Sequence, residues 1–323
     1  MGCAMSRSNF LSSNGTDRIA YYIFRNEDTQ EKPKAILQIS HGMCEYFLRY
    51  SDFAAFLTQH GYIVCGNDHL GHGDSVKNDD YLGYFAPNNG WKYLVQDVHR
   101  LTLKMKAKYP DIPLILMGHS MGSFITRLYI DQFSDDIDGV MIVGTNGGNP
   151  FTTVGITLAK QIRAIRGEFH RSSLLQKLTN AGFNSKYPEH YSEHDWLSRD
   201  KRIADQFAAD EKCGFTFTAS AFLDLFTMIR LINRPQWGQM IRKDLPAYLF
   251  AGDNDPVGDY GKGVARVYQH LNTLGIEDLQ IRLYPGARHE VLNEINKEEV
   301  YQDVLNWLDQ RFAAEKPISK IQV

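Results

Sequence analysis

The sequence predicts an α/β protein whose mostly parallel central sheet is covered by helices on both faces. Short and almost continuously apolar runs alternate with helical patterns, as at residues 35–40, 51–60 and 62–66. Parallel strands that are buried on both faces have this composition. The alternation stops after residue 144 and resumes at residue 246. Since the intervening stretch shows helical spacing and no convincing strand, we expect a helical insertion there.

Composition sets the broad class of the protein. The 323 residues carry a net charge of -3, with 43% hydrophobic and 23% charged residues. These values are typical of a globular chain, and no dense basic segment suggests a nucleic-acid partner. The four cysteines lack CxxC or zinc-like spacing. We therefore expect free thiols in a reducing, cytoplasmic compartment, and we find no signal peptide or transmembrane run.

The first residues carry a weak lipidation signal. The sequence MGCAMS matches the loose pattern for myristoylation at Gly2, with Cys3 placed for palmitoylation. The match is short and requires a eukaryotic host. We expect an untethered and frayed N-terminus instead, followed by a first strand at residues 19–24.

The remaining elements follow in order, and they divide the chain into three parts. We expect residues 1–144 and 245–323 to form the two halves of one core, and residues 145–244 to form a helical cap over the carboxyl edge of the sheet. Further strands are predicted at residues 35–40, 62–66, 114–117, 139–144, 246–252 and 279–284. Core helices are predicted at residues 51–60, 91–108, 123–130 and 298–312, and cap helices at residues 154–166, 200–210 and 220–232.

One short motif lies between a predicted strand and a predicted helix. The apolar run at residues 114–117 ends in GHSMG, with Ser120 at its centre. A tight strand-to-helix turn of this kind places the serine in a strained backbone conformation with its hydroxyl exposed, and the flanking glycines avoid Cβ clashes. Ser120 is therefore a candidate nucleophile.

A serine nucleophile needs a base and an acid, and strand ends supply both. The order expected on such a sheet is serine, acid and then histidine. His289 follows the last predicted strand, and Asp253 and Asp255 follow the strand before it. We favour Asp255, with Asp253 as the alternative. His41, His69 and His72 precede the nucleophile, so hydrogen bonding within loops is the expected role for these three.

The same chemistry requires backbone N–H donors for an oxyanion. The residue after the nucleophile, Met121, supplies one donor, and Met43 in the HGM segment after the second predicted strand supplies the other. The sequence contains no GxGxxG, Walker A or HExxH motif. We therefore expect no cofactor and no metal.

Several ordered motifs together resemble a known family. They are HGMCE with Arg49 and Tyr50 downstream, NDHLGHGDS, GHSMG, GDNDPVG and PGARHEVLNE. Over roughly residues 16–315 the chain resembles the α/β-hydrolase superfamily, and within it the monoacylglycerol lipases and lysophospholipases. The segments DWLSRD and CGFTFT resemble caps of the bacterial branch. Cys44 and Tyr46 depart from the glycine and histidine usual in lipase members, which leaves the acyl-group or head-group preference open.

The resemblance implies the α/β-hydrolase fold and the same Ser120, Asp255 and His289 triad, with Met43 and Met121 as oxyanion donors. It also implies an acyl-enzyme mechanism on fatty-acyl mono-esters. A prolyl-type aminopeptidase, a thioesterase and a non-catalytic ligand-binding member remain alternatives. Apolar cap residues could line an acyl channel, or they could only pack the cap onto the core. They are Phe222, Leu225, Phe226, Ile229 and Trp237.

The cap carries one further signal, for contact with a lipid surface. The helix predicted at residues 154–166 is apolar, with Lys160, Arg163 and Arg166 on its polar side. This pattern suits transient contact with a membrane or micelle, and it also suits an ordinary solvated helix. The sequence gives no signal for an oligomeric state.

Overall fold

A computed structural model describes residues 3–29, 31–148, 150–187 and 191–313. Its central element is one eight-stranded sheet. The strands are β1 (Cys3–Leu11), β2 (Arg18–Asn26), β3 (Ile36–Ser40), β4 (Ile63–Asn67), β5 (Leu114–His119), β6 (Gly139–Val143), β7 (Ala247–Gly252) and β8 (Leu279–Tyr284). The order across the sheet is β1-β2-β4-β3-β5-β6-β7-β8. The strands β3 to β8 are parallel to one another, whereas β2 is antiparallel to both β1 and β4.

Helices cover both faces of this sheet. Those of the core are α1 (Ser51–Gln59), α2 (Gly90–Lys108), α3 (Met121–Phe133), α8 (Lys262–Thr273) and α9 (Lys297–Phe312). Between β6 and β7 lie α4 (Thr152–Arg166), α5 (Ser173–Asn180), α6 (Lys201–Ala209) and α7 (Ala219–Ile232). The mostly parallel sheet with helices on both faces confirms the predicted fold class.

The apolar runs bury both faces of the strands because neighbouring side chains point in opposite directions. In β5, Leu114 and Leu116 join an apolar cluster that includes residues of α2, α3 and α8. Ile115 and Met117 join a second cluster, formed with residues of α1 and α9. One continuous run of apolar residues therefore serves two cores, which explains why it lacks the alternation of a half-exposed strand.

The expectation of a frayed N-terminus is wrong for the residues that the structure describes. Cys3 to Leu11 pair with β2 along their whole length, from Cys3 opposite Asn26 to Leu11 opposite Arg18. The strand β1 is mostly exposed and rich in polar side chains, so its sequence lacks an apolar signal. The lipidation pattern depends on Gly2, which lies outside the described residues.

Two helices, α5 and α8, were not predicted from the sequence. Both are amphipathic and bury few side chains: Leu175 in α5, and Val264, Val267 and Leu271 among those of α8. The other helices lie within a few residues of the predicted ranges. In the described part of the segment between β6 and β7, the β-pairing consists of one isolated bridge, between Arg171 and Thr218. No described helix is both long enough and apolar enough to cross a lipid bilayer.

Candidate active site

The turn between β5 and α3 holds Ser120 in an unusual backbone conformation. Its φ is 54° and its ψ is −121°, a region that residues with a side chain rarely occupy. A Cβ on Gly118 would lie 2.2 Å from Thr126 Oγ1, and one on Gly122 would lie 2.0 Å from the Ser40 carbonyl oxygen. Only glycine fits at both positions, so the chain can turn sharply enough to present Ser120 at the sheet edge.

The loops after β7 and β8 bring a carboxylate and an imidazole together. His289 Nδ1 lies 2.9 Å from Asp255 Oδ1, and both side chains are buried, with 2% and 0% exposed. Asp255 Oδ1 also accepts a hydrogen bond from the Val257 N–H at 2.9 Å. The alternative, Asp253, instead accepts from the Gly286 N–H at 2.7 Å. The structure thus places Asp255, and not Asp253, beside the imidazole.

The second ring nitrogen of His289 remains available. Among the described residues, Nε2 is buried and has no hydrogen-bond partner, and His289 lines the same cavity as Ser120. Gly144 makes room for the ring, because a Cβ there would lie 3.2 Å from His289 Cε1. With Nδ1 engaged by Asp255, Nε2 is the nitrogen that could exchange a proton with a group in the cavity.

The loop after β3 lies directly against the nucleophile turn. A Cβ on Gly42 would lie 3.2 Å from Ser120 Cβ, and both Met43 and Met121 line the cavity with Ser120. Met121 is the first residue of α3, and backbone N–H groups in a first helical turn have no partner within the helix. Two backbone segments therefore approach Ser120 from β3 and α3, as an oxyanion site would need.

A buried polar network holds the β3 loop in place. Glu45 Oε1 accepts hydrogen bonds from the Gly42 N–H at 2.5 Å and from the Tyr50 hydroxyl at 2.8 Å. Arg49 donates to Glu45 Oε2 at 2.7 Å, and it also donates two bonds to Glu290, at 2.6 and 2.8 Å. The network joins the β3 loop to the residue that follows His289. The sequence contained both Glu45 and Arg49 within a recognised motif, but no role was predicted for either.

Electrostatics keeps Glu45 of this network ionised. Burial disfavours the charged form of Glu45, but the contacts with His119 and Arg49 outweigh it and hold the pKa of the Glu45 carboxyl well below its usual range. Burial alone would lower the pKa of His119, yet the hydrogen bond and charge of Glu45 raise it above its ordinary value. The acidic groups are thus paired with cationic neighbours inside the protein.

Three further histidines form hydrogen bonds within the loops, as predicted. His41 Nε2 accepts from the His69 N–H at 2.9 Å, and His72 Nε2 accepts from the Cys44 N–H at 3.2 Å. His69 Nε2 lies 3.0 Å from Ser40 Oγ. Burial lowers the pKa of all three, that of His72 to about 3, so they are neutral. No set of three or more His, Cys, Asp or Glu side chains among the described residues is arranged to hold a metal ion.

A cavity of about 580 Å³ opens beside Ser120 and His289, a size in the usual range for small-molecule sites. Phe226, Ile229 and Leu225 of α7 line it. Phe222 and Trp237, for which the sequence left both lining and packing open, do not line it. Phe222 is fully buried, stacks with Phe226 and packs at a tilt against Phe217. Trp237 donates its ring N–H to the Arg127 carbonyl, and the guanidinium of Arg127 lies over its ring.

Several aromatic residues of the cavity wall were missed from the sequence. They lie mostly in turns between helices, where no periodic pattern marks an apolar face. These residues are Phe183, Trp196, Phe207 and Phe215. Of these, Phe207 alone lies in a regular helix, the last turn of α6. Composition could have indicated them, because residues 145–244 contain aromatic residues that lie outside the three helices predicted there.

The sequence and the fold are similar to those of known proteins. Residues 31–296 match the family described as serine aminopeptidase, S33. Mouse monoglyceride lipase is 25% identical over 285 residues, which cover 87% of this chain and 84% of that protein. The monoacylglycerol lipase of Mycolicibacterium smegmatis is 26% identical over 312 residues, or 94% of this chain and 96% of that protein.

Solved structures show the same likeness. A highly thermostable carboxyl esterase from Bacillus coagulans, crystallised in complex with glycerol, superimposes with a TM-score of 0.89 at 26% identity. The superposition covers 96% of this chain and 100% of that one. The similarity therefore includes the segment between β6 and β7 as well as the sheet.

Proposed function

The chain belongs to the serine aminopeptidase S33 family and is a hydrolase of the α/β-hydrolase fold, and we propose that it cleaves fatty-acyl mono-esters through an acyl-enzyme on Ser120. The observation that carries this proposal is the contact of Asp255 with His289 Nδ1, at 2.9 Å, beside a cavity that Ser120 also lines. A serine hydroxyl is a weak nucleophile at neutral pH, so it needs an oriented base of this kind.

In the proposed reaction each of these groups has a defined role. His289 Nε2 takes the proton of Ser120, and the serine oxygen attacks the ester carbonyl. The N–H groups of Met43 and Met121 stabilise the oxyanion of the tetrahedral intermediate. The imidazolium, held by Asp255, then protonates the departing alcohol. Water that gives its proton to the same histidine attacks the acyl-serine, and collapse of that second intermediate releases the fatty acid as the imidazolium returns the proton to the Ser120 oxygen.

The lining of the cavity supports an uncharged substrate with an acyl chain. Apolar side chains from α7 and from the turns around Phe183 and Trp196 form much of the wall. No Lys or Arg occurs among the described residues that line it, so a phosphate head group would find no ammonium or guanidinium partner there. Monoacylglycerols are therefore our first choice within the mono-ester class, with lysophospholipids second. The monoglyceride lipases among its relatives support this choice.

The family description also names an aminopeptidase, which would bind a cationic α-ammonium group. The acidic residues among the described lining are Glu45 and Glu290. Arg49 lies within 2.7 Å of an oxygen of each, and the three side chains are almost fully buried. Since both carboxylates are already paired inside the protein, Glu290 with Arg49 and Glu45 with Arg49 and His119, they offer little to an amino terminus. We therefore place ester hydrolysis first.

We propose that residues 145–244 act as the cap, and that α4 touches the lipid surface from which the substrate comes. Val154 and Ile165 are 58% and 79% exposed, and Lys160 and Arg163 lie on the same helix. Exposed apolar side chains beside basic ones favour an interfacial position. Cosedimentation with anionic lipid vesicles tests this: Ile165→Ser should weaken binding and leave hydrolysis of a short, dissolved ester unchanged.

A substrate panel tests the proposed reaction. The wild-type protein should hydrolyse monoacylglycerols faster than lysophosphatidylcholine, and both far faster than aminoacyl nitroanilides. Ser120→Ala should abolish turnover of every ester in the panel, while its circular dichroism spectrum remains that of the wild type. If Ser120→Ala retained turnover of nitrophenyl esters, the proposal would be wrong.

A further inference from the structure

The segment that contains Trp196 is attached to the loop that carries His289. The His289 N–H donates to the Trp196 carbonyl at 3.3 Å, and the Glu290 N–H donates to the Leu197 carbonyl at 2.7 Å. Further along, Arg199 Nε binds Glu294 Oε2 at 2.9 Å. These bonds fix the backbone of a turn between α5 and α6 against the loop after β8. The attachment holds the backbone that carries Trp196 at a fixed position relative to the imidazole.

The side chain of Trp196 uses this position to contact the imidazole. The centroids of the Trp196 and His289 rings are 5.0 Å apart, with 39° between their planes. Phe183 packs on the indole at 4.7 Å. Trp196 also lines the cavity. The indole therefore contacts the imidazole and Phe183, and it also faces the space that we assign to the substrate.

Among the described residues, the ring contacts of His289 are those with Trp196 and His119. Asp255 engages Nδ1, and the His119 ring lies 4.7 Å from the imidazole. His119 is itself paired with Glu45, and Arg49 and Glu290 complete that network. During the reaction the imidazole becomes a cation. An indole face attracts a cation, and a packed ring also restricts rotation of its neighbour.

We propose that Trp196 is a positioning residue for His289: its indole holds the imidazole in the reactive orientation and favours the imidazolium that forms in the transition state. This role rests on the proposed function, because it presumes that His289 is the base. It differs from the role of a simple cavity wall. A wall acts on the acyl chain, and so its effect depends on chain length. A positioning residue acts on the chemical step, and so its effect is the same for every acyl chain.

Two substitutions and two substrates separate these roles. With active-site concentration set by fluorophosphonate titration, Trp196→Leu should lower kcat about tenfold for both p-nitrophenyl acetate and p-nitrophenyl laurate. KM for the acetate should stay within about twofold. Trp196→Phe restores an aromatic face and should recover kcat to within about threefold of the wild type. The backbone bonds to His289 are the same in both variants, so the ring alone is tested.

Phe169→Leu is the matched control. Like Trp196, Phe169 lies between β6 and β7, and it stacks on Tyr84 at 4.1 Å. It does not line the cavity, so its replacement should leave kcat unchanged. If Trp196→Leu does not fold, as judged by its thermal unfolding, Trp196→Met carries the same prediction.

The outcome that overturns the proposal is a normal kcat for the acetate with a raised KM for the laurate alone, because Trp196 would then be only a cavity wall. A different result separates the two proposals. If fluorophosphonate does not label the wild-type protein at Ser120, the proposed function itself fails, whatever the Trp196 variants do.

Discussion

The two sides of the cavity are built by different kinds of interaction. On the sheet side, Ser120, Asp255 and His289 are held by a strained turn, by fixed hydrogen bonds and by nearly complete burial. On the cap side, residues such as Phe183 and Ile229 line the space mainly with apolar surface. Directed bonds fix an atom to a fraction of an ångström, whereas apolar packing tolerates changes of shape. We infer that the sheet side determines the reaction, with Trp196 as the one cap residue that we assign to the chemical step, and that the rest of the cap side determines which substrate reaches it.

The largest expected effect comes from the acid on the sheet side. Asp255→Asn should lower kcat by about 10³–10⁴-fold, because an amide cannot hold the imidazole in the tautomer that the reaction needs. Asp253→Asn is the matched control. Its amide oxygen can still accept from the Gly286 N–H, so its kcat should stay within a few fold of the wild type. Equal losses in the two variants would contradict our assignment of the acid. Steady-state hydrolysis of p-nitrophenyl butyrate measures both.

The buried network of the β3 loop should give the next largest effect. Glu45→Gln leaves Arg49 with one anionic partner and weakens the bond to the Gly42 N–H, next to Met43, the donor that we propose. We expect kcat to fall by about 10–100-fold and the protein to lose several kcal/mol of stability. Glu290→Gln also removes one anionic partner of Arg49, but it leaves the hydrogen bond of the Gly42 N–H intact. It should therefore destabilise the protein with a smaller loss of kcat. The reverse order of kcat losses would argue against a role for Glu45 in the oxyanion site.

A cap-side substitution should change selectivity instead of the reaction. Ile229→Ala enlarges the cavity, and we expect the ratio of kcat/KM for laurate to that for acetate to change by about threefold or more. Phe222→Ala, on the same helix but in the core, should lower the melting temperature through loss of packing and leave the ratio unchanged. A similar change of ratio in both variants would mean that α7 acts as a unit and not through its cavity-lining face.

The contact between α7 of the cap and α2 of the core should have a small, pH-dependent effect on stability. Asp224 of α7 is buried at the start of α2, where a Cβ on Gly90 would lie 2.6 Å from its Oδ2. Burial raises the pKa of Asp224 to about 7, against the opposing effect of the Trp91 and Gly90 N–H groups. The folded state then binds more protons than the unfolded state between about pH 4 and 7, so this group makes stability fall as the pH rises through that range.

Asp224→Asn should remove that part of the pH dependence. At pH 8 the variant should melt at or above the wild-type temperature, and the decrease between pH 5 and pH 8 should be smaller by roughly 2–5 °C. Differential scanning calorimetry at a series of pH values measures both quantities. An unchanged pH dependence would show that Asp224 is ionised over this whole range and does not contribute to the loss of stability.

Local sequence signals predicted the sheet side well. The strand β5 and its turn could be found because continuous apolar residues and two obligatory glycines act within a few residues of each other. The strand β1 was missed because it is polar and exposed, and its pairing with β2 is a tertiary contact that no local pattern shows.

The cap side was harder to predict for a related reason. The helical stripe of α7 predicted which face is buried, but not what that face contacts. Ile229 therefore lines the cavity, whereas Phe222 packs in the core. Phe183 and Trp196 lie in turns, and their position depends on how the whole segment between β6 and β7 folds back onto the sheet.

One measurement tests the central claim, that the reaction passes through an acyl-enzyme on Ser120. Wild-type protein is mixed with p-nitrophenyl laurate, quenched in acid within milliseconds and analysed by intact-mass and peptide mass spectrometry. Our account predicts one lauroyl group on the peptide that contains Ser120, and no such adduct in Ser120→Ala. Multiple turnovers by the wild type with no acyl group on that peptide, together with turnover by Ser120→Ala, would contradict it.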